Sequence, residues 1–385
     1  MPWKETCPMD ERMKFITDYL KAEWNLSDLC RYYGISRKTG YKWLTRYQAD
    51  GPSGLLDRSR APRRHPHAVH KMIQDRMVAF RAEHPHWGPR KLVHRLRQLE
   101  PDIRWPAPST VGEILKRHGL TVPRRRKRRT PPYAQPFREG LQPNDVWCAD
   151  FKGWFRTQCG KRIDPLTISD AVSRYLLRCQ ALMRQTGAMT QAVFTAAFQE
   201  FGLPEAIRTD NGAPFASTGL GGLSRLSVWW LRLGIVPERI RPGHPEENGR
   251  HERMHRTLKQ ATANPPHATP KAQQQSFDRF RTEYNQERPH EALDMQTPDQ
   301  RYRPSPKPFP ARLPQIEYPS EYRVRRIRSN GQIRWQGQLI FISEVLIGQR
   351  VGLIQIDNGT WRLDFGTLEL ALYDEKIKKF SPITP

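Results

Sequence analysis

The spacing of apolar residues changes character twice along the chain, and each change marks a new kind of element. Over residues 10–48 apolar side chains recur at helical intervals in three short runs, DERMKFITDYLKAE, LSDLCRYYG and SRKTGYKWLTRY, with Gly34 closing the second and Ser36 placed to cap the third. This spacing predicts a helix-turn-helix domain over residues 1–50. Its third helix would carry Arg37, Lys38, Lys42 and Arg46, with Tyr41 and Trp43 between them. Such a helix packs one face and offers the other to a DNA groove; the alternative is a small bundle with a solvated basic face. The stretch GPSGLLDRSRAPRRHPHA breaks the pattern and predicts a linker over 51–69. Helical spacing then resumes over 70–122 in HKMIQDRMVAFRAEH, GPRKLVHRLRQL and STVGEILKRHG, a second helix-turn-helix-like unit with Ser109 as an N-cap and Gly119 as a stop.

From residue 141 strands alternate with helices. NDVWCADFKGWF and RIDPLTISDAVSRYLLRCQAL read as neighbouring strands, GAMTQAVFTAAFQEFG as a helix ending at Gly202, EAIRTDNG as a strand ending at Asp210, LSRLSVWWLRLG as a helix and IVPERI as a strand. This predicts a mixed α/β domain over 141–303. Period-two runs at YRVRRIR, IRWQGQLIFI, RVGLIQI and TWRLDFG, punctuated by SNG and DNG, then predict a small all-β barrel over 316–376. The fold class is thus multidomain α/β, with two helical domains before the core and an all-β domain after it.

Charge narrows the partner. The 385 residues hold 64 Lys and Arg against 39 Asp and Glu, a net charge of +25. That balance favours a polyanion, nucleic acid first, over a small acidic ligand. Arg124, Arg125 and Arg126 open an unbroken run of six cations in a Pro-rich linker over 123–140, which can bind phosphate by counterion release. No apolar run approaches 18 residues, so no membrane partner is expected. The N-terminus lacks the apolar core of a signal peptide, which predicts a cytoplasmic, nucleoid-associated protein. The five cysteines show no CxxC spacing and read as buried or incidental thiols.

Against this basic background Asp150 and Asp210 each stand at a strand end, where side chains can emerge together at one edge of a sheet. Strand-end aspartates are commonly turn formers or caps, but clustered carboxylates repel and are relieved by hard divalent cations with oxygen ligands. Asp170, in SDAVSRY, reads as a turn or capping residue. The ordered set W-x-x-D, SDAVSRY, TDNG, N-G-x-x-E running into Leu-Lys, YNQERPHEAL and TP resembles the catalytic core of DDE transposases and retroviral-type integrases, and insertion-sequence transposases most closely. The resemblance spans essentially the whole chain and is strongest over 141–303. It implies an RNase H-like core and Mg²⁺-dependent DNA cleavage and strand transfer, with two Mg²⁺ ions at Asp150, Asp210 and a glutamate, and with Mn²⁺ as a substitute. It also implies the element's terminal inverted repeats and target DNA as partners, and a homo-oligomer assembled on DNA.

Two glutamates compete for the third position. The spacing often found in the family leaves 35 residues between Asp210 and the glutamate and lands on Glu246, whereas the N-G-x-x-E motif lands on Glu252, with 41 residues between. Pro245 suits a first helical turn, so Glu246 and Glu247 would stabilise its positive end. On that helix Asn248, Glu252, Arg256 and Lys259 share one face: a carboxylate with cations one and two turns away to hold DNA phosphates. The extra residues are housed in the Gly-rich loop at Ser217–Ser224. This favours Glu252. His251 and His255 read as surface or DNA-facing side chains, and Arg288 and His290 as structural groups that help position DNA. Two rivals stay open: a catalytically silent DNA-binding regulator, and a metal-dependent nuclease that cuts without joining.

Overall fold

A computed structural model of the chain describes residues 7–59, 68–121, 140–217, 219–240 and 249–383, and the chain divides into two compact units, Met1–Val69 and His70–Pro385. In the first, α1 (Pro8–Leu20), α2 (Leu26–Tyr32) and α3 (Arg37–Asp50) bury Phe15, Ile16, Leu29, Cys30, Trp43 and Leu44 between them. Asn25 caps α2 by accepting from the Asp28 N–H, and Ser36 caps α3 by accepting from the Thr39 N–H. Gly40 lets α3 approach α2, since a Cβ there would run into Cys30 Sγ. The domain extends past residue 50. Gly51–Leu55 forms a 3-10 turn that buries Leu55 in the same core, and Arg12 Nη1 donates to its carbonyl at 2.7 Å. Leu55 of GPSGLL therefore belongs to the fold rather than to a linker.

The second unit opens with α4 (Lys71–Glu83), α5 (Pro89–Leu99) and α6 (Pro108–Arg117), closed by Gly119 at φ +69°. Ala107, not Ser109, takes the N-cap position of α6, because Pro108 has its φ preset for the first helical turn. These helices bury Met77, Phe80, Leu92, Val93, Leu96, Val111, Ile114 and Leu115.

A six-stranded mixed sheet follows: β1 (Val146–Phe151), β2 (Phe155–Arg156), β3 (Arg162–Asp170), β4 (Leu176–Leu182), β5 (Ala206–Thr209) and β6 (Val236–Arg239). Its order is β2-β3-β1-β5-β6 with β4 also on β3; β1, β5 and β6 are parallel, while β3 runs antiparallel to β1 and β4. On one face pack α7 (Gly187–Phe201) and α8 (Arg225–Arg232), joined to Trp147, Ala149, Leu166, Ile168 and Ile207 through Phe194, Phe198 and Trp230. On the other lie α9 (Gly249–Thr262) and α10 (Pro270–Thr282), where Met254, Leu258, Phe277 and Phe280 meet Ile163, Leu176 and Cys179. Side chains alternate between the faces of a strand, so Trp147 and Ala149 turn toward α7, and Cys148 and Asp150 toward α9. The turn after β3 is held by Asp170, which accepts from the backbone N–H groups of Asn144, Val172 and Ser173, the structural role expected of it. The short α11 (Pro298–Arg301) closes the core.

The C-terminal region is all-β. The strands β7 (Arg323–Arg326), β10 (Arg350–Asp357), β11 (Thr360–Phe365), β12 (Leu368–Asp374) and β13 (Lys379–Pro382) pair as an antiparallel sheet, and β8 (Gln332–Trp335) and β9 (Gln338–Phe341) form a separate ribbon. Both contribute to one core through Trp335, Trp361, Phe365 and Tyr373, which also takes in Leu223, Val228 and Leu231 from and beside α8. Among the described residues no helix is long and apolar enough to cross a membrane.

Phe198 sits fully buried between Trp147, Phe194, Trp229 and Phe309. Phe198→Ala is expected to lower unfolding stability by about 3–5 kcal/mol, read from urea denaturation of the whole chain.

Candidate active site

Strand register brings the two aspartates together. In the parallel pair β1–β5, Val146 faces Ala206 and Cys148 faces Arg208; continuing that register by two residues sets Asp150 beside Asp210, on the same face and at the carboxyl ends of both strands. The Gly212 N–H donates to Asp210 Oδ1 at 3.2 Å, and Asn211 ties the turn to the carbonyl of Ile240 past β6. These bonds shape the backbone turn that follows Asp210.

Glu252 arrives on α9, whose contact with the sheet is polar as well as apolar. Met254 and Leu258 are buried, and so are His251 and His255, at 2% and 3% exposure. The two imidazoles converge on Thr167, the cross-strand partner of Asp150: His251 Nε2 is 2.7 Å and His255 Nε2 2.6 Å from Thr167 Oγ1, while His251 Nδ1 lies 3.0 Å from Ser169 Oγ. The reading of both histidines as surface or DNA-facing groups is therefore corrected. A helix in contact with a sheet buries a stripe, and positions 251, 254, 255 and 258 lie on it. Burial holds His251 down to about 3, and burial, His251 and Lys152 depress His255 further, so both rings are neutral. With Glu252 in its first turn, α9 leaves Glu252, Arg256 and Lys259 exposed, the shared face expected from the sequence. Asn248, Glu246 and Glu247 lie outside the described residues, as do Arg124, Arg125 and Arg126.

Burial first, then the charges of Asp210 and Glu252, push the Asp150 carboxyl up to about 7, against the Phe151 N–H and Lys152, which favour ionisation. His255 Nδ1 stands 3.6 Å from Asp150 Oδ2. One proton arrangement satisfies this cluster: Thr167 donates to the Asp150 carbonyl at 3.3 Å and accepts from both Nε2–H groups, which leaves His255 Nδ1 as an acceptor facing a protonated Asp150.

An all-oxygen donor set suits a hard divalent cation, and a strained, raised carboxyl is what such a cation relieves. No three His, Cys, Asp or Glu side chains gather about a single point among the described residues. Mg²⁺ needs only one or two carboxylates, since water and substrate oxygens complete its shell.

The Gly-rich loop is not a free insertion. Arg239, at the end of β6, donates to the carbonyls of Gly221 and Gly222, a Cβ on Gly222 would collide with its guanidinium, and one on Gly221 would meet Leu370 of β12. In the first unit Arg37, Lys38 and Lys42 are exposed along α3 and Arg46 is half-buried. The cations of Arg12, Lys42 and Arg46 lie 3.9, 4.2 and 5.1 Å from the Trp43 ring centroid, so the indole both packs the core and orients the basic face.

The core is thus a mixed sheet in this strand order, with two aspartates side by side at the carboxyl ends of β1 and β5. Family models for the integrase core domain match residues 140–245 and 233–298, a helix-turn-helix model matches 11–63, and a homeodomain-like model matches 39–115. The chain thus carries an integrase core domain over residues 140–298, the catalytic domain of a DDE polynucleotidyl transferase, together with helix-turn-helix domains. Among its relatives, the insertion element IS407 uncharacterized 31.7 kDa protein of Burkholderia multivorans is 26% identical over 240 residues, covering 61% of this chain and 82% of that one. The insertion element IS476 uncharacterized 39.2 kDa protein of Xanthomonas euvesicatoria is 28% identical over 237 residues, 61% of this chain and 66% of that one. Solved structures with some likeness include the HTLV-2 integrase catalytic core domain in complex with magnesium, 18% identical at a TM-score of 0.34, covering 43% of this chain and 100% of that one. Another is a simian T-cell lymphotropic virus intasome chain, 18% identical at 0.36, covering 69% and 91%.

Two measurements check the site. Thr167→Val removes the hydroxyl shared by two buried imidazoles and is expected to destabilise the protein by about 1–3 kcal/mol in urea unfolding. In metal-free protein Asp150 keeps its proton in the folded state up to about 7 but loses it near 3.8 when unfolded, so stability should fall as pH rises between those values and then level off. Urea midpoints against pH should lose this component in Asp150→Asn.

Proposed function

We propose that the protein is an insertion-sequence transposase that binds the ends of its element, cleaves them and joins them to target DNA. The observation that carries this reading is the register-matched pair Asp150 and Asp210 on adjacent parallel strands, with the charge of Glu252 also felt at Asp150. In this reading Asp150, Asp210 and Glu252 would hold two Mg²⁺ ions, with Mn²⁺ as a substitute. Such ions, when bound, supply activation of the attacking oxygen and stabilisation of the leaving oxygen in an in-line phosphoryl displacement.

The chain's own residues do the positioning. Arg256 and Lys259 follow Glu252 on the exposed face of α9 and hold backbone phosphates beside the acids, joined by Asn248 from the preceding segment. His255 and Thr167 fix α9 against β1 and β3 and so set the distance between Glu252 and Asp150. Arg37, Lys38, Lys42 and Arg46 present α3 to a groove of the terminal inverted repeats, and Arg124, Arg125 and Arg126 add sequence-independent phosphate contacts. The C-terminal strands, read as a small barrel around Trp335 and Trp361, contact DNA or a second subunit. Pairing two element ends requires at least two protomers, hence a homo-oligomer assembled on DNA. The setting is the bacterial cytoplasm, at the nucleoid.

The test is Mg²⁺-dependent cleavage and joining of labelled DNA carrying the element's own ends. Glu252→Gln is expected to abolish both steps, by at least about a hundredfold, with DNA binding kept, while Glu246→Gln remains active. A dead Glu246→Gln beside an active Glu252→Gln would move the third acid. Cleaved but never joined products would favour a nuclease, and binding without cleavage a regulator.

A further inference from the structure

The C-terminal strands sort their charge. Residues 323–350 carry six arginines, Arg323, Arg325, Arg326, Arg328, Arg334 and Arg350, against one acid, Glu344, whereas residues 351–375 carry five acids against one cation, Arg362. Those acids are occupied within the domain. Arg362 pairs with Asp364 at 2.9 Å and with Glu369 at 2.6 Å, and Glu375 accepts from Trp361 Nε1 at 2.7 Å. Asp357 and Asp374 accept from the backbone N–H groups of Asn358 and Lys376, both at 2.7 Å. All six arginines of the first stretch are exposed, and among the described residues none of them forms an ion pair.

Strand register packs these cations together. β7 is the edge of its sheet and pairs antiparallel with β10, which sets Arg326 directly opposite Arg350. Side chains so placed have Cβ atoms about 5 Å apart, and like charges there repel. On the other face of β7, Arg325 Cζ lies 5.5 Å from the Trp335 ring centroid and Arg323 Cζ 4.6 Å from that of Trp361. The buried indoles hold both guanidiniums in place without neutralising them. Because β7 is an edge strand, its two faces border one rim. The β8–β9 ribbon continues the surface: Arg334 stands opposite Leu339 and Gln332 opposite Phe341, and these two apolar side chains are 51% and 57% exposed. The Phe341 ring lies over Gly331, where a Cβ would come within 2.7 Å of it.

Arginines on an edge strand also keep stray strands from pairing with it, but that role calls for no exposed apolar neighbours. Leu339 and Phe341 among arginines call for a ligand that is polyanionic and can also cover apolar surface. Duplex DNA is both, with phosphates along each groove and sugars and base edges between them. The same face of a second copy is repelled by like charge. We infer that the β7 edge and the outer face of the β8–β9 ribbon grip a DNA duplex without regard to sequence, the arginines on phosphates and Leu339 and Phe341 in the groove between. The inference rests on the reading of the chain as a DNA transferase, and it assigns the C-terminal strands to DNA rather than to a second subunit.

The experiment measures the affinity of the full chain for a duplex unrelated to the element's ends over a salt series. Wild type is compared with Arg326→Gln/Arg350→Gln, with the charge-preserving Arg326→Lys/Arg350→Lys, and with Phe341→Ala; melting temperature and sedimentation are recorded without DNA. In the glutamine pair the salt slope is expected to fall by roughly 0.9 for each phosphate no longer neutralised. Its melting temperature should hold or rise, since Arg326 and Arg350 repel each other. The lysine pair should keep the wild-type slope, and Phe341→Ala should bind severalfold more weakly at an unchanged slope. An unchanged slope in the glutamine pair overturns the inference, and new self-association of that variant would show that the arginines only guard the edge. An oligomer that dissociates in Phe341→Ala without DNA would give the face to a second copy and overturn it too. Wild type that cuts and joins element ends while the glutamine pair keeps its slope defeats this surface alone. Wild type that shows the slope change yet never cuts or joins defeats the transferase reading and leaves the surface standing.

Discussion

Repulsion between Asp150 and Asp210, side by side at the carboxyl ends of two paired strands, is the constraint around which the core is arranged. Carboxylates brought together at a buried sheet edge are unfavourable, and burial, Asp210 and to a lesser degree Glu252 raise the Asp150 carboxyl, so the surrounding structure must hold these acids in place. Two of the three are held by main chain: β1 and β5 pair in parallel through Val146–Cys148 and Ala206–Arg208, and that backbone register cannot shift by one residue without turning Trp147 and Ile207 out of the α7–α8 core.

Glu252 is held differently, by side chains under its helix. His251 and His255 are kept neutral by burial and meet one hydroxyl, Thr167, on the strand beside Asp150. Neutral imidazoles suit this place, because each can donate and accept without adding charge below a site already crowded with it.

The Gly-rich loop joins the core to the all-β region. Arg239 pins Gly221 and Gly222, Leu370 covers Gly221, and α8 shares the hydrophobic core of the C-terminal strands. A loop with two left-handed glycines is thereby a packed joint, and the end of β6 that precedes α9 is tied to the domain that follows it.

Period and punctuation alone determined the helices of both N-terminal domains, the alternation of the core, the all-β end, and the two aspartates at strand ends. These are local properties, readable from spacing 3.6, spacing 2 and turn residues. The exposed face of Glu252, Arg256 and Lys259 was legible for the same reason. Local pattern misled where a distant partner decided the outcome. Leu55 looked like linker until the three-helix core took it in, and Ser109 looked like a cap until Pro108 set the first turn. His251 and His255 looked solvent-facing because no sequence spacing links them to Thr167, some 84 and 88 residues away. Helical and strand periods record which face of an element is buried, but the identity of what it is buried against is a long-range contact, and tertiary structure alone decides it.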